Sequence, residues 1–246
     1  MDEITKYFDT ITNILKNVLA TQHDAMEKAA QILKNASING HNIYAFGCSH
    51  AGLITLDLYY RTGGMATINP VRAPGLCLDV DPATLTSQME RLEGYGRIIM
   101  DALQLSSGDV VIIHSVSGRN NVTVDAALRA RERNAIVIAL TNMAMSTQVK
   151  SRHPSGLKLY QTTDVVLDNC GTLGDASLSI PGLPDHVGPT STAIGATILN
   201  AVVARAIALI TEESHIAPVF ISANLDGGDE HNARILDEFK DHIFYM

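Results

Sequence analysis

The sequence predicts an α/β fold, a parallel sheet with helices packed on its faces. Three observations carry this. Residues 109–114 (DVVIIH) and 135–140 (AIVIAL) are near-continuous apolar runs of strand length, the pattern of strands buried on both faces. Segments with apolar residues at spacings of three and four alternate with these runs, as in strand–helix–strand units. Finally, 246 residues that are 46% hydrophobic can bury one sizeable core.

At the N-terminus Ile4, Tyr7, Phe8, Ile11, Ile14, Leu15, Val18 and Leu19 recur at helical spacing, and Met26, Ala29, Ala30 and Leu33 continue the stripe. Two helices are expected over residues 1–38, before anything strand-like. Asn39-Gly40 breaks the pattern, and residues 42–46 form a short strand that stops at Gly47. Residues 51–60 return to helical periodicity, closed by Gly63-Gly64. Pro70, Pro74 and Pro82 mark an irregular connection over residues 69–81, followed by a helix over 82–105 placed to reach over a site. Next come the strand 109–114, a helix 121–133, the strand 135–140 and a further short strand 164–167 (DVVL). A Gly/Pro-rich loop spans 169–189, and a long apolar helix begins at Thr190. A polar stretch over 222–232 leads into a C-terminal helix ending near Phe244. With no repeat, low-complexity segment or linker, the expectation is one domain: N-terminal helices 1–38, an α/β core 39–212, and a C-terminal loop and helix 213–246.

Composition excludes several function classes. The formal charge is −8, and the basic residues cluster only at Arg129, Arg131 and Arg133 on one helix, so there is no electrostatic footprint for nucleic acid or an anionic membrane. An anionic ligand must then be held by local donors. Cys48, Cys77 and Cys170 are odd in number and lack Cys-x-x-Cys spacing, which reads as reduced thiols in a cytoplasmic protein. Asp2, Glu3, Lys6 and Asp9 interrupt the N-terminal apolar residues, unlike a signal peptide. Residues 192–210 are interrupted by Asn200 and Arg205 and read as a buried helix rather than a membrane span. The His and Asp spacings match no standard metal motif, and no Gly-x-Ser-x-Gly elbow is present. No metal or organic cofactor is expected.

Two loops carry chemistry. The first, Gly47-Cys48-Ser49-His50-Ala51-Gly52, joins a strand to a helix, where free N–H groups and the helix dipole favour an anion. It resembles a dinucleotide fingerprint by position, but Ser49 replaces the second glycine and no acidic residue follows the next strand; a plain tight turn is the alternative. The second, Ser115-Val116-Ser117-Gly118-Arg119-Asn120-Asn121, again lies between a buried strand and a helix. Its hydroxyls, amide, guanidinium and close-approach glycine suit the many acceptor oxygens of phosphate. The alternative is that Ser117 or Asn120 merely caps the helix. Parallel strands bring their C-terminal ends to one sheet edge, so the two loops can share a ligand.

These loops, with Thr141-Asn142 ending the next strand, resemble the sugar isomerase (SIS) domain family over residues 28–209. Tyr60-Arg61-Thr62-Gly63-Gly64, Arg152-His153-Pro154-Ser155-Gly156, Gly188-Pro189-Thr190-Ser191-Thr192 and Asp226-Gly227-Gly228-Asp229-Glu230-His231-Asn232 are similar to segments of its bacterial UPF0309-like subgroup. The resemblance implies a three-layer α/β/α sandwich with a five-stranded parallel sheet, an N-terminal helical extension and a homodimer or homotetramer with sites near subunit boundaries. It also implies a sugar phosphate ligand whose phosphate is held by Ser49, Ser115, Ser117 and Asn120, with Gly47, Cys48, His50, Gly118, Arg119 and Thr141 completing the binding set. Asn120 stands where a Thr is common and Arg119 where an acidic or small residue often is, which implies a different anion or an extra salt bridge to the phosphate. The family spans aldose–ketose isomerases, a lactyl ether lyase and sugar-phosphate sensors, so fold alone does not fix the reaction.

Isomerisation needs a base to move a proton between C1 and C2. Glu90 lies where several SIS enzymes place a catalytic glutamate; the alternative is a solvated helix face with Glu93 and Arg97 paired. His50, next to Ser49, is suited to hydrogen-bond a sugar hydroxyl or relay a proton. Glu230 and His231 are candidates for ring opening, in this site or a neighbouring subunit's, against the alternative of a helix start capped by Asp229. His153 and His186 make no constellation in the sequence.

Overall fold

The computed structural model describes residues 1–246. Helix α1 (Glu3–Ile38) is followed by β1 (Ile43–Gly47), α2 (His50–Leu58), β2 (Ile68–Pro70), α3 (Leu85–Met89), α4 (Tyr95–Ala102) and β3 (Val110–His114). Then come α5 (Asn121–Glu132), β4 (Ile136–Thr141), α6 (Met143–Ser146), β5 (Val165–Asp168), a hairpin of β6 (Ala176–Leu178) and β7 (Val187–Pro189), α7 (Ser191–Glu212) and α8 (Gly228–Glu238).

The five long-range strands form one parallel sheet in the order β2-β1-β3-β4-β5, with Ile43 opposite Val110 and Val110 opposite Ile136. Alternate residues of each strand feed different cores. Ile43, Ala45, Val110, Ile112 and Leu140 pack with α1, α2 and α7, whereas Tyr44, Phe46, Val111, Ile113 and Ala139 pack with α4 and α5. Two cores on one sheet make the three-layer α/β/α sandwich, and they explain why the strands read as unbroken apolar runs.

Several boundaries differ from the sequence expectation, each for a physical reason. Residues 3–38 form one helix, not two: the polar stretch Thr21–Asp24 contains no Gly or Pro, so it lies on the surface without a break. Asp2 caps it, accepting the Thr5 N–H at 2.8 Å. The expected helix over 82–105 splits into α3 and α4, because the carbonyls of Glu90 and Arg91 accept from Val122 N at 3.2 Å and Asn121 Nδ2 at 2.8 Å instead of continuing a helical ladder. The fifth strand, β2, sits in the segment expected to be irregular, and a short hairpin lies inside the Gly/Pro-rich loop. The last helix ends at Glu238 rather than near Phe244. Beyond it the chain turns onto the β2 edge, where the Asn69 amide donates to His242 O at 3.0 Å and accepts from Phe244 N at 2.7 Å. This covers an edge that would otherwise be open. Helix α7 is long and apolar enough to cross a membrane by length and composition; here Ile194, Ile198, Val202, Ala206 and Ile210 are buried in the core formed with α1 and the sheet.

Candidate functional site

The connections leaving β1 and β3 run in opposite directions, since β1 leads to β2 on one side while β3 leads to β4 on the other. Adjacent strands with diverging connections leave a crevice beyond their carboxyl ends, and both hydroxyl-bearing loops open onto it.

In the first loop the chain turns so tightly that a Cβ at Gly47 would lie 2.6 Å from Ala51 O; only glycine fits this approach. Ser49 follows with φ +56° and ψ −130°, a sparsely populated conformation for a non-glycine residue. Its backbone N–H donates to Leu76 O at 2.7 Å, which holds the turn. The Ser49 hydroxyl neither caps α2 nor finds another protein partner. His50 then opens α2 at the cleft wall.

In the second loop Ser115 Oγ accepts the Gly118 N–H at 3.2 Å, and Gly118 adopts φ +59°, a left-handed conformation natural to glycine. Thr141, fully buried, donates from Oγ1 to Ser115 O at 2.7 Å and Val116 O at 3.1 Å. It is a strut behind the loop rather than part of its exposed face. Asn120 occupies the N-cap position of α5 without a side-chain cap bond; its Oδ1 accepts from Arg152 Nη1 at 2.6 Å. Neither Ser117 nor Asn120 therefore spends its side chain on capping. His114, the last residue of β3, joins the two loops through Nδ1 and Ala51 O, 3.1 Å apart. Burial pushes its pKa down to about 4, opposed by the Ala51 hydrogen bond, so the imidazole is neutral and Nδ1 carries the proton given to Ala51.

Together these elements line a cleft of about 530 Å³. Cys48, Ser49 and His50 face it from the first loop; Ser115, Ser117 and Asn120 from the second; Glu90 from the segment between α3 and α4. Burial raises the Glu90 carboxyl above its ordinary value, opposed by a hydrogen bond from Asn120 and the charges of Arg91 and Arg152. Burial also pushes the Cys48 thiol strongly up, so Cys48 lines the cleft as a neutral thiol.

Sequence reasoning missed Asp175, Ser191 and Thr192, which complete the wall. Asp175 accepts from Thr190 N at 3.0 Å, Ser191 N at 2.7 Å and Ser191 Oγ at 2.7 Å, capping α7 from the hairpin. A cap normally sits within a few residues of its helix; this one is remote in sequence, so no local signal announces it.

Other candidates lie elsewhere. Gly47 and Gly118 shape the loop backbones, and Arg119 stands beside the cleft rather than on its wall. His231 Nε2 is 2.9 Å from Val219 O, and Val219 bridges to Met65, just before β2. Glu230 and His231 thus sit toward the amino ends of the strands, opposite the cleft of their own chain. Asp229 does not cap α8, whose N-cap is Gly227. Arg97 pairs with Glu132, at 2.9 and 2.6 Å, rather than with Glu93. His153 Nε2 meets the buried Asp125 at 3.1 Å. No three His, Cys, Asp or Glu side chains converge as a metal-binding set.

A parallel α/β/α sandwich with hydroxyl loops at its switch point defines a class, and comparison with known proteins agrees: the chain belongs to the SIS-domain family, whose model matches residues 6–142. Full-length likeness narrows this to the UPF0309 proteins. The chain is 44% identical over 246 residues to the UPF0309 protein of Shouchella clausii, covering 100% of both. Among solved structures it resembles a phosphoheptose isomerase from Francisella tularensis (TM-score 0.55, 16% identity, 84% of this chain and 98% of that one). It also resembles the Vibrio vulnificus NanR protein complexed with ManNAc-6P (TM-score 0.50, 14% identity, 97% and 70%). At these identities the likeness is one of fold.

Proposed function

We propose that the cleft binds a sugar phosphate and that the protein is an aldose–ketose isomerase. One observation carries the binding half: the hydroxyls of Ser49 and Ser117, which have no partner in the protein, face one cleft at the starts of α2 and α5. Helix N-termini and unpartnered hydroxyls suit a phosphate dianion, which accepts many hydrogen bonds and is favoured by the dipole. The acidic net charge adds nothing to this, so the donors must act locally. Family membership and the sugar phosphate in the NanR structure support the same ligand class.

For the reaction, Glu90 is the general base. Its carboxylate removes the proton from C2 of the open-chain aldose, leaving an enediolate, and the resulting carboxylic acid returns the proton to C1. A carboxyl raised by burial is closer to the working pH and is a stronger base once ionised. His50 is placed to hydrogen-bond the sugar oxygens between which the second proton moves. Glu230 and His231 enter this scheme only through a neighbouring subunit, in a homodimer or homotetramer.

The test is incubation with a panel of aldose phosphates in deuterated water. Ketose formation with deuterium at C1 of the ketose and, through the reverse reaction, at C2 of the recovered aldose, all lost in Glu90→Gln, is the expected result. Ligand-induced thermal stabilisation without any exchange makes the protein a sensor instead. Exchange with loss of an ether substituent makes it a lyase.

A further inference from the structure

Most arginines of this chain face a carboxylate, as Arg97, Arg129 and Arg205 do. Arg91, Arg119 and Arg152 form no ion pair, although Asp and Glu outnumber Lys and Arg by 26 to 18. The fold gathers these three around the start of α5, beside the cleft. Arg91 O accepts from Asn121 Nδ2 at 2.8 Å, and Arg152 N donates to Arg119 O at 2.9 Å. Arg152 Nη1 reaches Asn120, which lines the cleft next to Glu90.

Their donors are largely unused. A guanidinium carries five N–H groups, yet the only side-chain hydrogen bond made by the three is that of Arg152 to Asn120, and Arg119 Nε is buried with no partner at all. Burial, Arg119 and Arg91 together lower the pKa of Arg152, which shows that the charges share one field. Like charges held together and partly desolvated are unfavourable unless an anion joins them. Of the carboxylates around them, Asp125 is taken by His153 and the Gly94 N–H, and Glu90 feels Arg91 and Arg152 but forms an ion pair with neither.

Resting on the proposal that the hydroxyl loops hold a sugar phosphate, we infer that Arg91, Arg119 and Arg152 bind a second acidic group, phosphate or carboxylate, of the same ligand. The substrate class is then a doubly acidic sugar phosphate, with one anion in the hydroxyl loops and the other beyond Glu90. Planar guanidinium forks match either oxyanion with paired hydrogen bonds.

The test uses calorimetric titration of matched alditol monophosphates and terminal bisphosphates of pentose and hexose length. Alditols cannot react, and a second phosphate does not imitate an enediolate. Titrants go into the wild type, Arg91→Gln/Arg152→Gln, and Ser49→Ala/Ser117→Ala. Arg91 and Arg152 are exposed, so their replacement leaves the packing intact. The wild type is expected to prefer at least one bisphosphate by about tenfold or more, and the arginine double variant to lose that preference. Equal wild-type affinity within every pair, or an arginine variant that weakens both members by the same factor, overturns the inference. If the serine variant weakens neither ligand while the arginine effect persists, the hydroxyl-loop assignment fails and the arginine subsite stands. If no ligand binds the wild type, both fall.

Discussion

Acidification should loosen this protein at one buried residue in addition to its paired surface carboxylates. His114 is fully buried at the end of β3, and burial holds its folded pKa at about 4 against 6.5 for a free imidazole. Because the folded value is the lower one, the unfolded chain binds more protons between these limits. The stability owed to neutral His114 is therefore complete above about pH 6.5 and is lost as pH falls toward 4. Linkage puts the loss on the order of 2 kcal/mol between neutral pH and pH ~4.5. The expectation is checked by urea unfolding of the wild type and His114→Asn across this range. Asn does not titrate and its amide can donate to Ala51 O, so carboxylates common to both proteins cancel in the difference. The wild type should lose on the order of 2 kcal/mol more than the variant. Parallel stability curves, or an NMR titration placing His114 near 6.5, would refute the buried neutral imidazole and the link it makes between the two loops.

Other predictions concern the site and the surface. Gly47→Ala puts a Cβ 2.6 Å from Ala51 O and should cost about 2 kcal/mol in urea unfolding; an unchanged midpoint contradicts the tight-turn account. Arg152→Gln removes a positive charge that favours ionised Glu90, so the Glu90 titration, followed by carbon-13 NMR, should move to higher pH; a shift the other way contradicts the site electrostatics. Ile4 and Phe8 on α1 are 72% and 69% exposed, a stripe suited to subunit contact. Ile4→Glu/Phe8→Glu should dissociate the proposed homodimer or homotetramer in analytical ultracentrifugation, and a mass equal to that of the wild type contradicts a subunit contact through α1.

The parts of the fold legible in the sequence are those whose signal is local. The strands of residues 109–114 and 135–140 announce themselves because both faces are buried, leaving no polar alternation. Strand β2 does not, because three residues ending at Pro70 are indistinguishable from a loop until they pair with β1. The division of α3 from α4 was equally hidden, since it depends on Glu90 and Arg91 carbonyls being taken by α5. In the site, the two loops were readable from strand–turn–helix punctuation, and the cleft does bring Ser49, Ser115, Ser117, Asn120 and Glu90 together. Asp175 and the arginine cluster were not readable, because their members come from separate segments and meet only after folding. Thr141 illustrates a third case: the residue was visible, but its place behind the loop follows from hydrogen bonds that sequence does not show.

The central claim, that two hydroxyl-bearing loops hold a phosphate, is tested most directly by comparing the affinity of each sugar phosphate with that of its unphosphorylated sugar, for the wild type and Ser49→Ala/Ser117→Ala. Each hydroxyl bonded to a phosphate oxygen contributes about 1.5 kcal/mol. The wild type should bind the phosphorylated member only, and the double variant should bind it on the order of a hundredfold more weakly. Equal affinity for phosphorylated and plain sugar, or an unweakened double variant, would contradict the account.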